Sequence, residues 1–122
     1  MKHLDLKNKV YLITGANGRI GYSLSKQLVK FGAKVVMTDI LTNKIKFFNH
    51  NKNCLIKKID IIKEENIKKI ISAGVKKFKK IDGVIHCAYP VTKDWGQPIE
   101  KLKPKSLKEN LFNQLGSSIL IS

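Results

Sequence analysis

Three glycines recur at every third position in LITGANGRIGYSLSKQL, residues 12–28, where an apolar run gives way to an amphipathic one. Val10 to Thr14 is apolar throughout, as a strand covered on both faces is. Ile20 to Phe31 carries Ile20, Leu24, Leu28 and Phe31 on one helical stripe, with Gly32 placed to end it. The glycines therefore fall on a turn from a strand directly into a helix. In such a turn Gly15 permits the tight bend, Gly18 lets a phosphate group approach bare backbone, and Gly21 lets the helix lie close to the strand. The helix N-terminus then offers unpaired N–H groups and the positive end of its dipole to an anion.

Beyond this turn the chain alternates short β-rich runs with helical ones and shows no internal repeat, which is the pattern of a parallel α/β sheet. Lys34 to Thr38 reads as a second strand with Asp39 at its end, Leu41 to His50 as a short helix, and Asn53 to Ile59 as a third strand ending at Asp60. KEENIKKIISAGVKKF, residues 63–78, reads as a lysine-coated helix with Ile67, Ile70, Ile71 and Phe78 inward, and Ile81 to Cys87 as a fourth strand. A loop containing Pro90, Trp95, Gly96, Pro98 and Pro104 leads to a last helical pattern from about Ser106, with Leu107, Leu111, Leu115 and Leu120 near one face. The expected architecture is a Rossmann-type doubly wound parallel sheet in three α/β/α layers, one dinucleotide-binding domain over residues 1–122. The last pattern reaches Ser122 without a stop signal, so the domain is expected to be truncated after about four strands and incomplete at its C-terminus. Such a sheet exposes a strand edge and the final helix's apolar stripe, which predicts poor solubility or association.

Asp39 follows Gly21 by 18 residues, at the tip of the second strand, where a carboxylate accepts hydrogen bonds from the ribose hydroxyls of an adenosine. The same charge repels a 2′-phosphate, favouring NAD over NADP; Arg19 in the loop offsets part of that repulsion and keeps NADP as the alternative. The net charge of +15 invites a nucleic-acid reading, but the lysines run from Lys2 to Lys108 without clustering, and no aromatic-plus-basic group offers bases a stacking platform. The lysine coat reads instead as a solvated surface that attracts anionic metabolites. Cys54 and Cys87 suggest neither a disulfide scaffold nor a metal site, and a reducing cytoplasm is the expected setting. MKHLDLKNKV lacks the apolar stretch of a signal peptide, and no run approaches a bilayer span, so no membrane association is expected.

The segment Thr14 to Gly21, TGANGRIG, resembles the short-chain dehydrogenase/reductase family, whose first strand ends in a threonine and a glycine followed by further spaced glycines. The likeness runs from about residue 7 to the C-terminus. It implies a cofactor site comprising Thr14, Gly15, Asn17, Gly18, Arg19, Ile20, Gly21 and Asp39. Asp60 resembles the family's acidic residue that meets the adenine amino group, with Ile61 beside the ring. HCAY, His86 to Tyr89, stands where the family has Asn-Asn-Ala-Gly; only Ala88 matches, yet Cys87, Ala88 and Tyr89 fall at the cofactor. Asn113 resembles the helix asparagine that supports the family's catalytic lysine through a water. Two departures stand out. The glycine step and VIHCA are more like the nucleotide-sugar epimerase and dehydratase branch, whereas HCAYPVTKDWG is similar to shorter oxidoreductases of flagellin-modification and nonulosonic-acid sugar pathways.

The family's chemistry uses a tyrosine acid/base with a lysine four residues on, whose charge lowers the tyrosine pKa when helical spacing puts both on one face. Tyr22 and Lys26 match but sit beside the glycine turn, and Tyr89 and Lys93 enclose Pro90, which disfavours helix at Tyr89. The catalytic segment is therefore expected beyond Ser122. His86 at a strand's C-terminal end is read as a structural residue rather than a lone acid/base, and Lys93, Asp94 and Trp95 either touch substrate or face solvent. The resulting expectation is the dinucleotide-binding part of an oxidoreductase acting on a hydroxyl or carbonyl substrate such as a sugar, a homo-oligomer in full-length form, inactive as these residues alone. A fragment of a nucleotide-sugar epimerase or dehydratase and a non-catalytic NAD-binding module are the rivals.

Overall fold

The computed structural model describes residues 5–122; Lys2 and the charges at the very start of MKHLDLKNKV lie outside the described residues. Four strands, β1 (Val10–Thr14), β2 (Lys34–Asp39), β3 (Cys54–Lys58) and β4 (Gly83–His86), form one parallel sheet in the order β3-β2-β1-β4. Helices α1 (Arg19–Lys30) and α2 (Glu64–Phe78) follow β1 and β3, and the chain ends in α3 (Pro104–Leu111), a π-helical turn (Phe112–Gly116) and α4 (Ser117–Ile121). The first three strands step outward from β1, and the fourth returns to its other side. The connections thus diverge beside β1, and they leave a crevice at the strands' C-terminal ends.

The inner strands alternate their apolar side chains between two cores. Ile13, Val35 and Met37 point to the α1 side with Ile45 and Phe48, whereas Val10, Leu12 and Val36 point to the α2 side with Ile67, Ile70 and Phe78. This pleat explains why β1 and β2 read as unbroken apolar runs, because both faces of each are covered. The expected three-layer, doubly wound α/β sheet is therefore present.

Local differences have physical causes. The segment expected as a helix over Leu41 to His50 holds only one 3-10 turn, Ile45–Phe48, because Asn17 accepts hydrogen bonds from the backbone N–H groups of Lys44 (2.8 Å) and Ile45 (3.3 Å). Helix α1 buries Gly21 and Ser25 against the sheet and leaves Ile20 69% exposed; a close helix-to-strand approach selects small residues along the contact line. The Ser25 hydroxyl satisfies itself by donating to the Gly21 carbonyl at 2.7 Å. In α2 the inward row is Ile67, Ile70, Gly74 and Phe78, with Ile71 turned out. A Cβ at Gly74 would meet Val36 at 3.1 Å and Ile81 at 3.3 Å, so glycine there brings the helix down onto β2. Strand β4 starts later than expected, at Gly83; Asp82 before it donates its N–H to the Val10 carbonyl at 2.8 Å and accepts the Val10 N–H on its carboxylate at 2.8 Å.

The burial asymmetry on α2 is testable by chemical denaturation. Ile70→Ala is expected to cost about 3 kcal/mol through the cavity it leaves, and Ile71→Ala less than about 1 kcal/mol. Equal costs would contradict this packing.

Candidate functional site

The strand register sets the ends of β1, β2 and β4 side by side: Thr14 pairs with Thr38 on one flank and with His86 on the other. From this row the chain turns at Gly15, whose φ of +62° is the left-handed region that glycine tolerates. A Cβ at Gly15 would come within 2.6 Å of the Cys87 and Ala88 backbone, and one at Gly21 would overlap the Gly15 carbonyl. Both glycines are thus dictated by the chain's own close packing. Gly18 differs, since its backbone is ordinary and extended and a Cβ would press only on the Gly15 carbonyl at 3.2 Å. It stands at the N-cap of α1, which has no side-chain cap and no acidic residue in its first turn. The helix therefore presents N–H groups and a positive dipole end with no internal anion to answer them.

A cleft of about 310 Å³ opens there. Of the residues expected from sequence, Thr14, Gly15, Gly18, Asp39, Asp60, Ile61, Cys87, Ala88 and Tyr89 line it. Asn17, Arg19, Ile20, Gly21 and Asn113 do not line it. Thr38, Ile40, Ile59 and Pro90 also form its walls. Each adjoins a residue singled out in the sequence, and that adjacency at a strand end was the available signal. The Thr38 hydroxyl oxygen is buried without a hydrogen-bond partner.

Asp39 fixes the cleft's shape. Its carboxylate accepts the Asn17 N–H at 2.9 Å and the Leu41 N–H at 3.1 Å, tying the glycine turn to the end of β2. The Ala16 N–H, donating to the Thr38 carbonyl at 3.1 Å, runs alongside. Asn17 is buried, and its side chain is committed to Lys44, Ile45 and, by donation at 2.8 Å, to Asn43. Those bonds hold the Asn17 side chain within the fold, between the glycine turn and the segment after β2. Arg19 and Ile20 point to solvent at the start of α1.

On the β1–β4 flank His86 bridges two elements. Its Nδ1 lies 2.8 Å from the Thr14 hydroxyl and its Nε2 lies 3.3 Å from the Ser117 hydroxyl. The Thr14 oxygen accepts from the Ala88 N–H at 3.3 Å, and the Ser117 hydroxyl donates to the Gln114 carbonyl at 3.2 Å. One proton arrangement satisfies every group: Thr14 donates to Nδ1 and Nε2–H donates to Ser117, which makes the ring neutral. Burial lowers the His86 pKa and agrees with the neutral form. Both ring nitrogens are thus occupied within the fold. Burial likewise pushes the Cys87 thiol up from its ordinary value.

The tyrosine–lysine pairs do not build an acid/base site. Tyr22 packs its ring on Phe48, centroids 6.1 Å apart, while Lys26 is exposed. Tyr89 is in the cleft, with Trp95 edge-on at 5.8 Å, but Lys93 lies on the following loop and not on a helix. Asp94 is not a free loop carboxylate. The Thr92 hydroxyl donates to its Oδ1 at 2.6 Å and, with Ser106, holds its pKa down; Oδ2 is buried and closes no hydrogen bond of proper geometry. Asn113 is half-buried, and the buried asparagine of this helix is Asn110, which the sequence reading passed over. The apolar stripe of the C-terminal helix stands open, as a sheet without further strands leaves it: Leu107, Leu111 and Leu115 are 50%, 59% and 62% exposed, while Asn110 and Ser117 face in. Among the described residues no three His, Cys, Asp or Glu side chains gather as a metal site, and no helix is long and apolar enough to cross a membrane.

Known proteins share this arrangement. A family model described as short chain dehydrogenase matches residues 9–117. The chain is 32% identical over 124 residues to the post-translational flagellin modification protein A of Campylobacter coli, covering 96% of this chain and 48% of that one. Among solved structures it resembles a 3-ketoacyl-(acyl-carrier-protein) reductase from Brucella melitensis complexed with NADH, with a TM-score of 0.82 and 26% identity over 95% of this chain and 48% of the other. A short-chain dehydrogenase/reductase from the same organism, described as glucose/ribitol dehydrogenase, shares the fold with a TM-score of 0.86 at 19% identity, over 97% and 50% of the two chains. The chain spans about half the length of these relatives.

The His86 relay has a pH signature. Because its folded pKa lies below the unfolded value near 6.5, the unfolded chain binds more protons in the interval between them. Stability is therefore greatest above that value, declines as pH falls through the interval, and has lost the whole contribution once pH is below the folded pKa. Circular-dichroism melts between about pH 7 and 5 are expected to show a falling midpoint and a shallower slope in His86→Asn. An identical slope in the variant would assign the effect to other groups.

Proposed function

Since this chain belongs to the short chain dehydrogenase family, we propose that it is the dinucleotide-binding part of an oxidoreductase that takes NAD in preference to NADP and serves a hydroxyl or carbonyl substrate such as a sugar. The observation that carries the proposal is the uncapped, acid-free start of α1 opening into a cleft whose far wall ends in Asp39. The residues fit the cofactor on three counts. Gly18 leaves the helix N-terminus open where a side chain would cover it, so a pyrophosphate can approach the N–H groups. Asp39 is oriented by the Asn17 and Leu41 N–H groups and keeps lone pairs for ribose hydroxyls. Ile40, Ile59 and Ile61 supply apolar walls for an adenine ring beside Asp60.

When bound, a nicotinamide ring supplies the hydride acceptor or donor; the residues of this chain bind and orient it. A 2′-phosphate would stand against the Asp39 carboxylate, while Arg19 is exposed at the start of α1 outside the cleft wall. Neither tyrosine–lysine match forms an acid/base pair among the described residues. The 122 residues alone are accordingly proposed to bind without turnover.

Fluorescence titration of the purified chain tests this. NADH is expected to bind at least about tenfold more tightly than NADPH, a difference of about 1.4 kcal/mol. Asp39→Ala should erase that preference, and Gly18→Val should weaken both cofactors, each in a chain whose circular dichroism is unchanged. Equal affinities in the native chain, or a Gly18→Val chain that binds normally, would overturn the proposal.

A further inference from the structure

The polar row of the C-terminal helix is matched, residue by residue, to the loop that forms one end of the cleft. Ser117 reaches His86; the Gln114 amide donates to the Pro90 carbonyl at 3.3 Å; Asn110 accepts the Thr92 N–H at 2.9 Å and donates to the Thr92 hydroxyl at 2.8 Å. The helix steps by three or four residues and the extended loop by two or four, so the two run antiparallel and close like a seam. Asn110, Gln114 and Ser117 stand at i, i+4 and i+7 and so share one helical face, and the π-helical turn over Phe112–Gly116 falls inside this row. Thr92 is the centre of the seam: its N–H donates to Asn110, and its hydroxyl accepts from the Asn110 amide while donating to Asp94. Asn110 is 2% exposed, so its two bonds form away from competing water.

This seam has an evident cargo. Tyr89 and Trp95, the only tryptophan in the chain, stand edge to face at either end of the stitched segment, 61% and 42% exposed. Tyr89 and Pro90 wall the cleft on the β4 side, across β1 from Asp39 and Asp60. Two large rings left in solvent yet held by a buried polar network are ordered for contact with something other than the fold itself.

Building on the dinucleotide reading above, we propose that Asn110 and Thr92 are positioning residues: through the seam they hold the Tyr89–Trp95 wall where it meets the half of the dinucleotide beyond its pyrophosphate. Neither touches the ligand. The adenosine half binds on the other flank and does not depend on the seam.

Titrating the full 122-residue chain with ADP and with NADH separates these claims. ADP reaches only the Asp39 flank and the helix terminus; NADH also reaches the wall. Asn110→Ala and Thr92→Val are expected to weaken NADH about tenfold while leaving ADP within about twofold, and Thr92→Ser, which keeps the hydroxyl, should restore NADH binding. A merely structural role would weaken both ligands together, and that result overturns the inference, as does unchanged NADH binding in both variants. Trp95 gives a second readout that needs no variant to fold: in the native chain saturating NADH, but not ADP, should quench its emission and shield it from acrylamide. Trp95 emission indifferent to saturating NADH would refute the placement of the wall. Failure of the native chain to bind either ligand would refute the dinucleotide reading itself and this inference with it, whereas ADP and NADH binding with no variant effect refutes only the seam.

Discussion

Main chain rests directly on main chain where the turn after β1 meets the end of β4, and everything functional is arranged around that contact. Gly15 approaches the Cys87–Ala88 backbone so closely that a single added carbon would not fit. The approach brings the end of β1 level with both neighbours, which lets Thr14 bond His86 and Ala88 on one flank while Asp39 reaches the Asn17 N–H on the other. A helix beginning three residues after such a turn has its N-terminus aimed at the gap between the flanks. The cleft is thus a by-product of close packing, and the open dipole end of α1 lies in it without any dedicated support.

The sheet was legible in the sequence because its inner strands are covered on both faces and so carry unbroken apolar runs. Strand β1 matches its expected limits, and β2 runs one residue further, through Asp39. The glycine turn was legible for a related reason, since Gly15 and Gly21 are demanded by backbone sterics that only glycine satisfies. Asn17 was harder to place. Its spacing marks it as part of the turn, but its partners Asn43 to Ile45 are more than twenty residues away, and local pattern cannot show where a side-chain amide spends its bonds.

The C-terminal helix was legible only in part. Its leucine row marks an apolar stripe expected to stand exposed, but that stripe does not show what orients the helix. Here a row of directional hydrogen bonds to a loop that offers a carbonyl, an N–H and a hydroxyl orients the helix, together with Ile121 packed into the core on the α2 side. The sequence does carry the alternative signal, since Ser106, Asn110, Gln114 and Ser117 recur at helical spacing. A polar row at that spacing looks like a solvated face until its partners are known. Hydrophobic packing would tolerate sliding of the loop; fixed donors and acceptors do not, which suits a wall whose position matters.

Charge acts at two ranges in this molecule. The net charge of +15 comes from lysines dispersed over the surface, and it raises the local concentration of any anion over distances of roughly a Debye length, about 8 Å at physiological salt. Inside the cleft the sign reverses. The acidic residues among its lining are Asp39 and Asp60, and no lysine or arginine joins them. On the proposed dinucleotide reading, the field that gathers phosphate-bearing ligands is not the field that sorts them: the surface would draw in anions without discrimination, the dipole end of α1 would accept a diphosphate at one point, and Asp39 and Asp60, both on the flank of β2 and β3, would reward hydroxyls and penalise any further phosphate. Because the attraction is diffuse and screened while the repulsion is local and partly shielded from solvent, the proposed selectivity would rest on Asp39 even in a chain this basic.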